Sequence, residues 1–331
     1  MSKDWSSEEL LELAWSFQHS CILSAAAELD LFTALEGTPL TASALAATLN
    51  CDLRATTILL DALVALEVLD KDAETYQLPS KLSALLSESS AENVLPMIRH
   101  LACCERRWVE LARVVKSGVA AQRVPSIRGE EKDKESFIGA MHVINEKAAP
   151  SLIAELGALQ FEHLLDIGGA SGTWTLALLD AHPNMQATIF DLPDVIPMSK
   201  KRISETGLKE RVSFVAGDFY EDELPTGTDL AWLSAIAHQN SREQNHGLYA
   251  KIYRALNHGG TLLIRDVVMD TTHTKPPRGA FFAINMLVAT EGGGTFTFEE
   301  YRKDLEACGF SDIELVREDP FMNSIIRAVK T

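Results

Sequence analysis

Acidic residues and glycines follow short apolar runs in the second half of the chain, where together they could hold a nucleoside. The run HLLDI carries Asp166 and is followed by Gly168 and Gly169. The next run, QATIFD, ends in Asp191, 25 residues after Asp166. A carboxylate at that second position can accept hydrogen bonds from both hydroxyls of a ribose. The two glycines allow a tight turn and a close approach of the backbone to a ligand.

A third apolar run ends in a group that suits an adenine ring, namely Gly217, Asp218 and Phe219. The Asp218 carboxylate can accept from the exocyclic amine, and the Phe219 ring can cover one face of the base. The Asp166 carboxylate suits a cationic amino-acid group better than a pyrophosphate. Singly, each residue also fits a turn or a helix cap. Together they predict a site for S-adenosylmethionine, an adenosine with a positively charged amino-acid tail.

A histidine stands where the stretch WLSAIAHQNSREQNH turns from apolar to polar. A phenol, with a pKa of about 10, is mostly protonated at neutral pH, and a histidine can accept that proton. His238 follows a fourth apolar run, close to the expected sulfonium. Ser241 and Gln244 have capping-box spacing, so a helix begins there and His238 lies in a short turn before it. The competing interpretation is a turn histidine without a chemical role.

A parallel sheet is the element that can bring these residues together. Continuous apolar runs alternate with helical segments, in the order HLLDI, QATIFD, VSFVAGD, DLAWLSA and TLLIRDVV. This rhythm predicts an α/β sheet that is covered on both faces. Ligands of such sheets bind beyond the carboxyl ends of the strands. Two later runs, DIELVRE and SIIRAVK, predict an antiparallel edge.

The first part of the chain, residues 8–120, has helical periodicity instead. Thr41 and Asp52 are predicted N-caps of two successive helices, and a small polar hairpin follows them. This pattern is a helix-turn-helix with a wing. Arg54 is the single basic residue of the second helix, which favours a dimerisation or packing role over DNA binding. Residues 121–136 are polar and predict a connecting loop before the next helix.

Composition limits the partners of the chain. Its 331 residues are enough for two domains, and its formal net charge of -17 disfavours nucleic-acid binding. The five cysteines are irregularly spaced, which indicates reduced thiols and a cytoplasmic protein. No metal-ligand spacing, signal peptide or 18-residue apolar run occurs in the sequence. We therefore expect no metal, no nucleic acid and no membrane as partners.

The chain resembles the S-adenosylmethionine-dependent O-methyltransferases of the plant caffeate and bacterial antibiotic-tailoring type. The segments that carry the resemblance span almost the whole chain and include LLDIGGASGTW, IFDLPDV, AGDFY, LSAIAHQNS, ALNHGGTLLIRD and EGGGTFTFEEYRKDLEACGF. The resemblance implies an α/β fold, a Rossmann-like methyltransferase sheet with an N-terminal, mainly helical winged-helix domain. It implies a dimerisation domain over 1–120, a linker and connecting helix that lines the acceptor pocket over 121–160, and a catalytic domain over 161–331. It also implies a homodimer through the N-terminal domain.

The resemblance further implies S-adenosylmethionine as cofactor, with S-adenosylhomocysteine as product. The matching cofactor-binding positions are Asp166, Gly168, Gly169, Asp191, Leu192, Gly217, Asp218, Phe219 and Ser234. His238 matches the catalytic base. The family usually has aspartate after this histidine, whereas this chain has Gln239.

Plant members orient the base with two glutamates, and this chain departs from that pattern. The first position is Asp266, and the second aligns with Thr295. Glu291, at the start of the same glycine-rich turn, is the candidate substitute. The acceptor pocket is expected between helices, and its candidate residues lie on these helices: Trp108, Met141, His142, Asn145, Phe282, Asn285 and Met286. Methionine and aromatic residues at helical spacing are also typical of a plain core.

The sequence thus predicts an O-methyltransferase that acts on a hydroxyl of a small aromatic or heterocyclic acceptor, with His238 as general base. One alternative is a homologue that uses the scaffold for N- or C-methylation, or for a cofactor-assisted decarboxylation or hydroxylation. A second alternative, from another class, is a winged-helix regulator that senses the cofactor.

Overall fold

The structure, a computed structural model, describes residues 4–157 and 159–331. Residues 1–3 and 158, which fall in the predicted ranges 1–120 and 121–160, lie outside the described residues. The chain divides into two compact units. The first extends to Arg106 and takes up Val124–Ile144, and the second comprises Arg107–Arg123 and Asn145–Thr331. The boundaries of these units differ from those of the predicted ranges 1–120, 121–160 and 161–331.

Helices occur in both units. In chain order they are α1 (Ser7–Trp15), α2 (Phe17–Glu28), α3 (Leu31–Ala34), α4 (Ala42–Leu49), α5 (Leu53–Ala65), α6 (Ser80–Ser83), α7 (Leu95–Trp108), α8 (Leu111–Ser117), α9 (Glu130–Glu146), α10 (Ala148–Leu156), α11 (Thr173–Ala181), α12 (Ile196–Ser204), α13 (Arg242–Ala255), α14 (Pro277–Ala289) and α15 (Phe298–Ala307). Short 3₁₀ turns occur at Lys209–Arg211 and Ala237–Gln239. None of the helices in the described part of the chain is long and apolar enough to cross a membrane.

The first unit is mainly helical, and its helices begin where the sequence predicts caps. Thr41 accepts a hydrogen bond from the Ala44 amide at 3.2 Å, and Asp52 accepts one from Ala55 at 2.8 Å. Both predicted N-caps are confirmed. Three short strands form an antiparallel sheet in the order β1-β3-β2: β1 (Leu40–Thr41), β2 (Asp70–Asp72) and β3 (Thr75–Gln77).

One predicted boundary in this unit is wrong. The loop expected over residues 121–136 ends early, because α9 begins at Glu130. The first turn of α9 contains Glu130, Glu131 and Asp133, and acidic side chains at a helix N-terminus are stabilised by the helix dipole. Asp133 also accepts a 2.8 Å hydrogen bond from the Ser126 amide. The charges that suggested a loop are therefore those that favour the start of a helix.

The second unit is built on a large sheet. Its strands are β4 (His163–Ile167), β5 (Gln186–Asp191), β6 (Val212–Ala216), β7 (Thr228–Ser234), β8 (Leu256–Asp266), β11 (Phe310–Arg317) and β12 (Ser324–Lys330). The first five are parallel and the last two antiparallel, as predicted. Their order across the sheet is β11-β12-β8-β7-β4-β5-β6. A separate parallel pair is formed by β9 (Val268–Met269) and β10 (Phe296–Thr297).

Both faces of the large sheet are covered by apolar side chains. One face packs Ile167, Leu233 and Ile264 against helices α13 and α15, and the other packs Trp174 against Trp232 and neighbouring aliphatic side chains. The predicted capping box of α13 is present, since Ser241 and Gln244 each accept from the other's backbone amide. The register fixes the carboxyl ends of the parallel strands at one edge, and the predicted cofactor-binding residues and His238 lie at or just after these strand ends.

Candidate active site

The turn after β4 is shaped by a glycine. Gly168 has φ +68°, a backbone conformation that L side chains rarely adopt, and a Cβ there would lie 2.7 Å from Cδ1 of Ile236. The Gly168 amide donates to the Phe190 carbonyl at 2.8 Å. This turn therefore lies between the end of β5 and the residues that follow β7, and only glycine fits without displacing Ile236.

A buried carboxyl group, that of Asp166, packs against this glycine turn. Asp166 is almost wholly buried and accepts a hydrogen bond from the Thr175 hydroxyl at 2.5 Å. Burial, together with the nearby charge of Asp191, raises the pKa of Asp166 to about 7, although the Thr175 hydrogen bond opposes the shift. A Cβ on Gly169 would lie 3.0 Å from this carboxyl group. The contact of Asp166 with the amino-acid end of the cofactor stays a prediction.

Asp191 joins the ends of two strands. Its Oδ2 accepts from the Ala170 amide, and its Oδ1 accepts from the Leu192 amide, both at 2.7 Å. The first bond attaches the glycine turn after β4 to the end of β5. A carboxylate oxygen can accept more than one hydrogen bond, so these bonds are compatible with the predicted contact to a ribose. The Leu192 side chain is exposed.

The residues after β6 form a compact turn beside Asp191. The Gly217 amide donates to the Asp191 carbonyl at 3.0 Å, and the Tyr220 amide donates to Oδ1 of Asp218 at 2.9 Å. The Phe219 ring lies 4.6 Å from the Tyr220 ring, measured between centroids. Asp218 and Phe219 are half-buried, so a carboxylate and an aromatic ring are presented at the same edge as Asp191.

His238 lies in the 3₁₀ turn after β7 and is held by Asp266. Its Nδ1 is 2.8 Å from Oδ1 of Asp266, and its backbone N–H donates to Oδ2 at 3.2 Å. The His238 side chain is 10% exposed and the Asp266 side chain is fully buried. When Nδ1–H donates to the carboxylate, Nε2 carries the lone pair. The carboxylate thus sets the tautomer that can accept a proton.

The glycine-rich turn after α14 carries the two candidates for the second orienting position, Thr295 and its proposed substitute Glu291. Glu291 is exposed, and within residues 4–157 and 159–331 it makes no hydrogen bond to His238. The glycine-rich turn contributes its backbone instead, because the Gly294 amide donates to the His238 carbonyl at 2.8 Å. A Cβ on Gly293 would lie 2.7 Å from that carbonyl oxygen. Thr295 is buried in the same turn.

The acceptor candidates of the second unit fall into separate contacts. The Phe282 ring stands edge-on to the His238 ring, with 4.7 Å between centroids. Trp108 Nε1 donates to Oδ1 of Asn285 at 2.9 Å, and Met286 is buried. Met141 and His142 belong to the first unit, and their predicted role stays a prediction.

A buried arginine, Arg265, is not among the predicted site residues. It donates to Ser234 at 3.1 Å, to Asn145 at 2.9 Å and to Asn323 at 2.8 Å, and it lies 4.4 Å above the Trp174 ring. Burial lowers the pKa of Arg265 to about 10, which still leaves it charged at neutral pH. Arg265 therefore hydrogen-bonds both Ser234, a predicted cofactor contact, and Asn145, a predicted acceptor contact. Its position as a charged residue inside the apolar run TLLIRDVV is the sequence feature that indicates a functional role.

Comparison with known proteins decides the family. A model described as the O-methyltransferase domain matches residues 118–311, and one described as the O-methyltransferase dimerisation domain matches residues 11–89. The chain belongs to the O-methyltransferase family. This confirms the predicted S-adenosylmethionine-dependent O-methyltransferase with a Rossmann-like sheet and a helical N-terminal region.

Relatives of the methyltransferase cover nearly its full length. It is 31% identical to the tetracenomycin polyketide synthesis 8-O-methyltransferase of Streptomyces glaucescens, over 92% of this chain and 91% of that protein. It is 30% identical to an L-tyrosine C(3)-methyltransferase of Streptomyces lavendulae, over 93% and 88% of the two chains. The crystal structure of human N-acetylserotonin methyltransferase in complex with S-adenosylmethionine matches with a TM-score of 0.81 and 26% identity, over 99% of each chain.

No group of three or more histidine, cysteine, aspartate or glutamate residues is arranged to hold a metal ion among the residues described. The carboxylates of the site instead engage amides, hydroxyls and the imidazole.

The raised pKa of Asp166 predicts a specific pH dependence of stability. A carboxyl group with a folded pKa of about 7 and an unfolded value near 3.8 binds more protons in the folded state between these values. Its contribution to stability is therefore present at low pH and is lost as pH rises towards and through 7. We expect the free energy of unfolding of Asp166→Asn, taken relative to that of wild type, to increase by about 2–3 kcal/mol as the pH rises from 5 to 8.

The measurement is urea unfolding of wild type and of Asp166→Asn at a series of pH values between 5 and 8. Asp180→Asn is the matched control, because Asp180 is an exposed aspartate on the neighbouring helix α11. A constant difference between Asp166→Asn and wild type from pH 5 to pH 8 would contradict the buried, protonated carboxyl.

Proposed function

We propose that this methyltransferase methylates a hydroxyl group of a small aromatic or heterocyclic acceptor, with His238 as general base. The observation that carries the proposal is the pair of hydrogen bonds from His238 to Asp266 at the carboxyl edge of the sheet. A buried carboxylate on Nδ1 leaves Nε2 as the proton acceptor, and the Phe282 ring lies nearly perpendicular to the imidazole, with 4.7 Å between the ring centroids. This arrangement suits a flat acceptor with a hydroxyl group.

The chain's own groups would act mainly by position and by proton transfer. The sulfonium of S-adenosylmethionine supplies an electrophilic methyl group when the cofactor is bound. His238 Nε2 accepts the hydroxyl proton as the oxygen becomes a nucleophile. Asp266 stabilises the resulting imidazolium and holds its ring in place. Low solvent exposure around both groups strengthens that interaction.

The cofactor would be held along three neighbouring strand ends. The residues present fit it, since the half-buried carboxylates of Asp191 and Asp218 suit ribose hydroxyls and an exocyclic amine, and the Phe219 ring suits a base face. The glycine turn and Ser234 would hold the methionine end. Ser234 accepts from Arg265, so its hydroxyl hydrogen can be donated elsewhere.

Binding of S-adenosylhomocysteine, measured by calorimetry, tests this placement. We expect wild-type protein to bind it and Asp191→Asn to bind roughly 10- to 100-fold more weakly, because a charged acceptor for the ribose is lost. Asp180→Asn should bind like wild type. Thermal unfolding of each variant separates lost affinity from lost structure. Absence of binding to the wild-type protein would overturn the proposed function as a whole.

Loss of the base should remove methyl transfer. We expect His238→Ala to lower kcat by about 10²- to 10⁴-fold, whereas His246→Ala, an exposed histidine on α13, should leave it unchanged. The assay uses labelled S-adenosylmethionine with a panel of phenols and hydroxylated heterocycles. A His238→Ala variant with wild-type kcat would remove the base mechanism. Mass spectrometry of the products shows whether oxygen, nitrogen or carbon received the methyl group.

Two alternatives give different outcomes in the same experiments. A homologue that methylates nitrogen or carbon, or that performs a cofactor-assisted decarboxylation or hydroxylation, would bind S-adenosylhomocysteine but yield another product. The similarity to a tyrosine C-methyltransferase is the observation that supports carbon methylation as an alternative. A winged-helix regulator would bind DNA in a salt-dependent manner, which the net charge of -17 disfavours.

We also propose that the N-terminal region is a winged-helix dimerisation domain of a cytoplasmic homodimer. The functional division into 1–120, 121–160 and 161–331 belongs to this proposal. Its support is the match to a dimerisation model over residues 11–89, together with large exposed apolar side chains on α1 and α2, namely Leu10, Leu11, Leu13, Trp15 and Phe17. Such side chains are favoured at an interface between subunits.

Charged substitutions on these helices test the dimer. We expect wild-type protein to sediment at twice the chain mass of 36.3 kDa and the double variant Leu13→Glu, Phe17→Glu to sediment as a monomer, because buried charges are costly at an apolar interface. Val316→Glu, an exposed apolar residue on β11, is the control and should stay dimeric. A dimeric double variant would place the interface elsewhere.

A further inference from the structure

A chain of side-chain hydrogen bonds begins beside the predicted adenine site. Tyr220 Oη donates to Oδ1 of Asn240, Asn240 Nδ2 donates to Oδ1 of Asn245 at 3.0 Å, and Asn245 Nδ2 donates to the Ala237 carbonyl at 2.8 Å. Every bond in this chain donates in the same direction. Both asparagines are fully buried, at 0% and 1% exposure. Hydrogen bonds arranged head to tail in a buried environment polarise one another.

The chain continues through one peptide group to the carboxylate that holds the base. The Ala237 carbonyl and the His238 N–H belong to the same peptide, and this N–H donates to Oδ2 of Asp266 at 3.2 Å. A donor on the carbonyl oxygen draws electron density towards it and makes the N–H a stronger donor. Because Asp266 also accepts from His238 Nδ1 at 2.8 Å, both bonds that orient the imidazole lie at the end of this chain.

Helix α13 holds both ends of the chain in place. Lys251 Nζ donates to the carbonyls of Phe219 and Tyr220 at 2.9 Å and to that of Asp222 at 2.8 Å. These bonds fix the turn after β6 on the helix. Asn245 belongs to the same helix and directly follows Gln244 of its capping box. The turn that carries Tyr220 and the turn that carries the base are thus attached to one rigid element.

The entrance of the chain lies where a ligand can reach it. The Tyr220 side chain is 44% exposed, and its ring is 4.6 Å from that of Phe219. A ring stacked on Phe219 would therefore change the surroundings of Tyr220. The buried asparagine amides also need an explanation, since polar groups in a core gain little over apolar ones unless they serve position or specificity.

We propose that Tyr220, Asn240 and Asn245 are positioning residues for the base, and that they link the adenine end of the cofactor site to His238. This inference rests on the roles proposed above for Phe219 and His238. The three residues touch no reacting atom and act through the Ala237–His238 peptide and Asp266.

The test removes only the hydroxyl of Tyr220. Tyr220→Phe is compared with Tyr253→Phe. Tyr253 lies on helix α13, and its hydroxyl donates to the Thr331 carbonyl at 2.9 Å, outside the chain of bonds. Full-length protein with ¹⁵N-labelled histidine is studied by NMR, and a His238→Gln variant assigns the His238 signals. We expect the His238 amide of Tyr220→Phe to exchange roughly three- to tenfold faster than in wild type. Its Nδ1–H signal should move upfield, because the bond to Asp266 weakens.

Tyr253→Phe should leave both signals at their wild-type values. If Tyr220→Phe also leaves both signals unchanged, or if the two variants change them equally, the positioning role is overturned. Since these measurements use the unliganded protein, they do not depend on cofactor binding.

A titration with S-adenosylhomocysteine tests the link to the adenine end. We expect it to shift the His238 Nδ1–H signal of wild type, and to shift that of Tyr220→Phe much less, with affinities within about twofold of each other. Equal shifts in both proteins would overturn the link. Failure of wild-type protein to bind S-adenosylhomocysteine would instead overturn the proposed function, and the unliganded comparison would still decide the positioning role.

Discussion

The site depends on how the buried carboxylate of Asp266 is satisfied. A carboxylate with no solvent exposure is costly unless hydrogen bonds surround it. Asp266 accepts from the His238 ring, from the His238 amide and from the Val267 amide at 2.7 Å. These bonds fix the 3₁₀ turn before α13, and the glycine-rich turn then docks on the His238 carbonyl. The groups that stabilise this carboxylate are therefore the same groups that orient the proposed base, and loss of one affects both.

The carboxyl end of β8 carries a buried charge on each face of the sheet. Successive residues of a strand point to opposite faces, so Arg265 lies against Trp174 and Asp266 lies against His238. The Asp266 charge raises the pKa of Arg265 while burial, the larger effect, lowers it. Arg265 reaches Ser234 and Asn145 with hydrogen bonds to neutral acceptors. One strand end thus positions the base on one face and organises predicted cofactor and acceptor contacts on the other.

The sequence is sufficient for the features that follow from local pattern. Continuous apolar runs predict the five parallel strands, and side-chain spacing predicts the caps at Thr41, Asp52 and Ser241. Features that need contacts between distant residues are not predictable in this way. Arg265 meets Asn145 across 120 residues and Tyr220 meets Asn240 across 20. Spacing alone also leaves Asp266 and Glu291 as two candidate partners of the imidazole, and only burial and hydrogen bonding distinguish them.

The His238–Asp266 pair also bears on which atom of an acceptor is methylated. A neutral amine has a free lone pair and can attack a sulfonium methyl group before it loses a proton, so a base is of little use at the start of transfer. A phenol must lose its proton, and the phenolate that results carries negative charge on oxygen and on the ortho and para carbons of the ring. A base held by a buried carboxylate therefore serves oxygen methylation and carbon methylation of a phenol, but gives little advantage for an amine. Between oxygen and carbon, the choice depends on which atom lies in line with the methyl group, and that alignment is set by the walls of the acceptor pocket rather than by the base.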